Sequence, residues 1–193
     1  MTELMSLLTE IRACRHCESC LPLKPRPILA AHPESRILIV GQAPGIRVHE
    51  SGIPWDDASG QRLRDWMGIS SNDFYDERNI AIVPMGFCYP GTGSGGDLPP
   101  RPECSELWHS QLLSGLKNVK LTLVIGRYAQ DYLLAEQNKK TLTQTVQAWR
   151  DYTPKHLPLP HPSPRNNRWL KKNPWFESDV VPYLRRRVRQ LVS

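Results

Sequence analysis

The sequence predicts an α/β protein: a three-layer α/β/α sandwich around a four-stranded parallel sheet. Three observations predict it. The runs "RILIVG" (36–41), "NIAIVPM" (79–85) and "LTLVIG" (121–126) are nearly continuous in Ile, Leu and Val, as in strands covered on both faces. Segments with helical spacing of apolar residues separate them. Such alternation calls for right-handed crossovers within one sheet.

The elements follow in order. "MTELMSLLTEIRAC" reads as a short amphipathic helix with Leu4, Leu7, Leu8 and Ile11 on one face. It carries acids and lacks a basic segment before an apolar stretch, so it does not read as a signal peptide. The first strand ends in the turn "GQAPG", and a helical pattern, "GQRLRDWMGI", follows Ser59. After the second strand, "YPGTGSGGDLPPRP" (89–102) reads as one long loop, too poor in apolar residues to pack. Further helical patterns start at Pro102 and Arg127, on either side of the third strand. "HLPLPH" (156–161) is the fourth strand candidate, and a helix near 179–191 closes the chain. No internal repeat is visible, and 193 residues fit one domain, 1–193.

Hydrophobic content of 39% and charged content of 23% are ordinary for a globular protein. No run of eighteen apolar residues occurs, so neither a membrane span nor a membrane partner is expected, and a cytoplasmic protein is. The formal charge is +6, and its placement matters more than its size. "RRRVR" (185–189) holds four arginines, and "PRNNRWLKKNPW" adds Arg165, Arg168, Lys171 and Lys172. A basic face is the footprint of phosphate binding. The alternative is a solvated helix end, where cations complement the helix dipole.

Ligands of open α/β sheets bind at the carboxyl ends of the strands. Three distinctive segments fall there: "GQAPG" after strand one, "PMGFCYPG" after strand two and "HPSPRNN" after strand four. Each alone reads as a turn; three at one edge read as a pocket. The first lacks the Gly-Lys-Ser/Thr ending of a phosphate loop and the third glycine of a dinucleotide fingerprint. Small Ala43 and rigid Pro44, between Gly41 and Gly45, suit a backbone held close to a planar ligand, with the Gln42 amide as donor and acceptor. Trp55 can stack on a flat ring or simply pack in the core. His161 ends a strand before "PSP"; it is either structural or a donor to a developing anion.

The cysteines are Cys14, Cys17, Cys20, Cys88 and Cys104. In a cytosolic protein their spacing points to metal rather than to disulfides. Cys14-x2-Cys17 is a two-ligand unit, Cys17-x2-Cys20 a second pairing, and Cys88 and Cys104 flank the long loop. Four thiolates suit an iron–sulfur cluster or zinc.

In this order of motifs the chain resembles the uracil-DNA glycosylase superfamily, and most closely its iron–sulfur-containing fourth family. The matching pieces are Cys14 and Cys17, the turn Gly41 to Gly45, Gly52 to Trp55, Cys88 and Cys104, and His161-Pro162, spread over roughly residues 10 to 185. The resemblance implies a [4Fe–4S] cluster on Cys14, Cys17, Cys88 and Cys104, with zinc the alternative and Cys20 left over. It implies DNA, single- or double-stranded, as partner; a monomer is expected. Trp55 then stands where an aromatic stacks on a flipped base, and His161 where a histidine steadies the leaving uracil anion. Residues 162–168, including Ser163, Arg165, Asn166 and Arg168, form the loop that enters the duplex.

Three positions depart from the family's pattern. Gln42 replaces the glutamate of the iron–sulfur branch. Ala43 stands where other branches carry an Asp or Asn that handles the attacking water. Pro84 falls about where an Asn reads uracil, and proline has no side-chain donor. The reading is therefore an N-glycosidic hydrolase acting on a damaged base of DNA, with His161 and Gln42 catalytic. Glu50, His49 and Asp56 are candidates for orienting water. A non-cleaving DNA-binding module on the same fold and a zinc-stabilised N-glycoside hydrolase are the rival readings.

Overall fold

The computed structural model describes residues 3–192. Its centre is a parallel sheet of β1 (Ile37–Val40), β2 (Ile80–Ile82), β5 (Leu121–Ile125) and β6 (His156–Leu159), in the spatial order β2-β1-β5-β6. Ile37 pairs with both Ile80 and Leu121, so β1 and β5 are the inner strands. Every residue of β1, β2 and β5 is buried, as their unbroken apolar runs predict. β6 pairs with β5 alone, and an edge position tolerates Pro158, which has no N–H to give to a ladder.

Successive residues of β1 feed opposite cores. Ile37 and Ile39 pack with Leu63, Trp66, Phe176 and Leu184, whereas Leu38 and Val40 pack with Leu4, Leu8, Leu112 and Ala129. The first face is covered by α3 (Ala58–Met67), α7 (Leu142–Gln147) and α9 (Val181–Val192), and the second by α1 (Glu3–Arg12), α5 (Ser110–Gly115) and α6 (Gly126–Leu134). This is a three-layer α/β/α sandwich, as the sequence predicts. Leu4, Leu8 and Ile11 of α1 are buried and Leu7 partly so.

Several short elements lack the length to show a period. They are α2 (Ile46–Ser51), α4 (Ser71–Tyr75) and α8 (Asn167–Lys172). α2 ends on Gly52, in the left-handed region at φ 76°, with the Arg26 guanidinium donating to the carbonyls of His49 and Glu50. A Cβ on Gly52 would meet that guanidinium at 2.2 Å, so conformation and space both select glycine. α7 starts on a reciprocal cap, Thr141 and Gln144, a signal present in the sequence as T-x-x-Q.

The loop at 89–102 packs more than its composition suggests. Tyr89, Pro90 and Gly91 are buried, and a small antiparallel ribbon follows, β3 (Thr92–Gly93) with β4 (Gly96–Asp97). The loop's apolar content is low, but its first turn lies against Pro22 and Leu98. Among the described residues no helix is long and apolar enough to cross a membrane.

Candidate functional site

The strand ends build one cavity of about 240 Å³. Gly41 to Gly45, Pro84, Trp55 and His161 line it, together with Asp57, Asp97, Ser163 and Arg165. That volume lies just under the ~300–1,000 Å³ typical of drug-sized ligands and suits one flat ring. Backbone bonds fix the wall: the N–H groups of Met85 and Gly86 donate to the carbonyls of Gly41 and Gln42, each at 2.9 Å. The turn after β1 is thereby bound to the segment after β2.

Trp55 owes its place to two glycines. A Cβ on Gly41 would stand 2.9 Å from the indole Cζ2, and one on Gly60 would stand 1.7 Å from the Trp55 carbonyl oxygen. Trp55 itself has φ 58°, unusual for a side chain of its size and a form of strain that gathers at working sites. The result is an indole facing the imidazole of His161, with ring centroids 5.5 Å apart and planes tilted by 31°.

His161 follows β6, and its loop is held from three directions. Asn166 Nδ2 donates to the His161 carbonyl at 2.7 Å, Arg62 of α3 donates to the Ser163 carbonyl at 3.1 Å, and Arg165 donates to the Gly95 carbonyl at 3.3 Å. The Ser163 N–H donates to Nδ1 of His161 at 3.2 Å. Burial lowers the pKa of His161 below its ordinary value, and the carboxylates of Asp57 and Asp97 oppose that shift. A neutral ring that accepts at Nδ1 carries its proton on Nε2. Nε2 has no protein partner among the described residues and is free for a ligand.

Gln42 donates through Nε2 to the Leu98 carbonyl at 3.1 Å, so its remaining group for a ligand is the acceptor Oε1. Pro84 presents only its ring. Its carbonyl accepts from Nε2 of buried His109, which is stacked on Phe87. The candidate water-orienting groups lie elsewhere: Glu50, Asp56 and His49 are not among the cavity's lining residues, and His49 packs near Tyr89. The carboxylates in the cavity wall are Asp57 and Asp97, both missed in the sequence. Asp57 caps α3 by accepting from the Gly60 N–H at 2.8 Å, and D-x-x-G before a helical pattern was the available signal. Asp97 sits in a Gly-rich segment with no periodicity to mark it.

Arg168, Lys171 and Lys172 are exposed on α8, directly after the His161 loop. The arginines of α9 lie toward the other edge. Arg185 donates to the Asp65 carbonyl in the last turn of α3, and Arg36, just before β1, donates to the Leu191 carbonyl.

Of the four cysteines of the metal reading, Cys14 and Cys17 lie close enough for their charges to reach Cys88 and Cys104. Burial pushes the thiol of Cys88 up to about 11 and that of Cys104 up to about 12, and the charges of Cys14 and Cys17 add to both. Burial raises the Cys17 thiol above its ordinary value, and Arg101, which pairs with Glu103, opposes that shift. Four thiols in one region fit a cluster or tetrahedral zinc in kind and number. Among the described residues, no three His, Cys, Asp or Glu side chains are already gathered at metal-holding distances. Cys20 is exposed.

A parallel sheet with a ring-sized cavity at its carboxyl edge, walled by a glycine turn, an aromatic and a histidine, defines a class, and comparison with known proteins specifies it. Residues 30–185 match the family model of the Uracil DNA glycosylase superfamily, and the chain belongs to that superfamily. It is also similar to the solution NMR structure of a Methanosarcina acetivorans protein named as a candidate uracil DNA glycosylase. That similarity has a TM-score of 0.45 and 17% identity, over 83% of this chain and 98% of that one.

Proposed function

We propose that the protein is a DNA glycosylase that hydrolyses the N-glycosidic bond of a flipped base, uracil or a related deaminated base. The observation that carries this reading is the Ser163 N–H bond to Nδ1 of His161, which leaves Nε2–H as a donor in a ring-sized cavity. A base must leave the stack before its bond to the sugar can be reached. Cleavage sends the bonding electrons onto the base, and a fixed donor at the developing anion stabilises the transition state more than the bound substrate. Trp55 stacks on the base, the backbone of residues 41–45 lies along its edge, and Gln42 Oε1 accepts from it or from water.

Pro84 supplies an apolar wall and no hydrogen bond, so selection of the base falls to Gln42 and the turn. The turn's Gln42, which offers no carboxylate, favours a second reading, a module that holds a modified base without cleaving it. In either reading Arg165, Arg168, Lys171 and Lys172 meet phosphates beside the cavity. Cys14, Cys17, Cys88 and Cys104 would hold a [4Fe–4S] cluster, with zinc the alternative. That group would act as a structural tie between the N-terminal segment and the loop after β2.

Base release from oligonucleotides carrying uracil, hypoxanthine or xanthine tests the hydrolase. Release from at least one is expected, whereas binding without release from any supports the module. Replacing Arg168, Lys171 and Lys172 with alanine should weaken duplex binding and lower its salt slope by about 0.9 per lost phosphate contact. An unchanged slope would remove α8 from the DNA interface.

A further inference from the structure

Asp97 is the cavity residue that no motif singles out. It ends β4, and the ribbon that carries it is tied on both sides. Gln42 Nε2 donates to the carbonyl of Leu98 at 3.1 Å, and Arg165 donates to the carbonyl of Gly95 at 3.3 Å. The catalytic turn and the His161 loop therefore each hold one end of the same short ribbon. The side chain is oriented as well. Its Oδ1 accepts from the Thr92 hydroxyl at 3.3 Å, and the Thr92 and Tyr89 hydroxyl oxygens lie 2.6 Å apart. Oδ2 lies 3.4 Å from where a Cβ on Gly45 would stand, so the carboxylate reaches across the "GQAPG" turn. Its charge is also felt by the imidazole of His161.

Hydrolysis requires a group that positions water and takes its proton. Positions 42 and 43 provide an amide and a methyl group, and neither accepts a proton at neutral pH. Asp57 has Oδ1 committed to the first turn of α3. Asp97 is likewise held at Oδ1, by Thr92, and among the described residues neither Oδ2 has a protein donor; Asp97 is the one of the two carried on a ribbon tied to both the Gln42 turn and the His161 loop.

Resting on the glycosylase reading above, we propose that Asp97 is a catalytic residue that orients the attacking water and accepts its proton. The sugar C1′–N bond breaks with its electron pair going to the base, toward Nε2–H of His161. The water oxygen bonds to C1′ and gives one proton to Oδ2 of Asp97, which later returns it to solvent. The base anion takes a proton from solvent, so charge and atoms balance. The carboxylate also faces the sugar as it becomes cationic.

Asp97→Asn tests this with little disturbance, because the amide oxygen can still accept from Thr92 while the charge and the basic site are lost. Single-turnover release of the base that wild type removes best is expected to slow by about a hundredfold or more, the usual scale for a lost general base. Duplex affinity should hold or tighten, since a negative charge leaves the DNA side. Asp97→Ala should be partly restored by added formate, a rescue that a merely structural role would not show. Asp97→Asn releasing base within about threefold of wild type would overturn the proposal and leave the glycosylase reading standing. Slow release with no formate rescue would overturn it too, assigning Asp97 to support of the ribbon. Wild type releasing no base from any oligonucleotide would overturn the parent reading, and this role with it.

Discussion

The backbone N–H of Ser163 donates to Nδ1 of His161 at 3.2 Å, and that bond leaves Nε2 as the ring nitrogen without a protein partner among the described residues. Ser163 has φ −58°, a value proline adopts, so the N–H can be removed with little change of backbone shape. Ser163→Pro is expected to slow base release by up to about tenfold, the worth of one hydrogen bond of ~1 kcal/mol that fixes the tautomer. Ser163→Ala, which loses only the hydroxyl that accepts from the Arg165 N–H, is the control and should stay near wild type. Equal rates for both variants would show that the bond does not orient the ring.

The close approach of Trp55 to α3 makes Gly60 a sensitive position. A Cβ there would overlap the Trp55 carbonyl at 1.7 Å, a backbone atom with nowhere to move. Gly60→Ala is expected to destabilise the fold by about 3 kcal/mol or more, the upper part of the overpacking range. Gly95→Ala meets nothing within 4 Å and should be near neutral. Urea unfolding of the two variants checks the contrast, and similar midpoints would contradict the placement of Trp55.

Acid should weaken the fold through its buried histidines. Burial lowers the pKa values of His109, His156 and His161 below the ordinary value of 6.5. As pH falls through about 6.5, the unfolded chain binds protons that the folded chain refuses, so stability declines until the folded-state values are passed. The urea midpoint should therefore be lower at about pH 5 than at about pH 7.5, and His109→Gln should reduce the difference. A midpoint that rises on acidification would contradict this burial.

The sheet was legible because β1, β2 and β5 are buried on both faces and therefore read as unbroken apolar runs. The helices α3, α6 and α9 showed their period over nine to twelve residues. α2, α4 and α8, at five or six residues, could be seen only through caps such as Ser70, which accepts from the Asp73 N–H. In the site, Gly41 to Gly45 and His161 stood out because they end strands. Asp97 did not, because its place depends on two long-range ties, from Gln42 and Arg165, that no local pattern encodes.

The reach of the Cys14 and Cys17 charges to Cys88 and Cys104 leads to a spectroscopic expectation. Protein purified without oxygen should be brown and should lose its visible absorption on Cys88→Ser. A colourless protein holding one zinc would place the other metal on the same thiols. A wild type that folds and melts identically with and without metal would contradict a structural tie there.

In the proposed reaction His161 donates to a base anion that exists only as the bond breaks. The decisive measurement is single-turnover base release by wild type and His161→Ala, alongside duplex affinity. A loss of about a hundred- to a thousandfold in release is expected, the scale for removing one preorganised donor, with affinity nearly unchanged. Equal binding of damaged duplex by both proteins, with neither releasing a base, would contradict it and make the cavity a recognition surface.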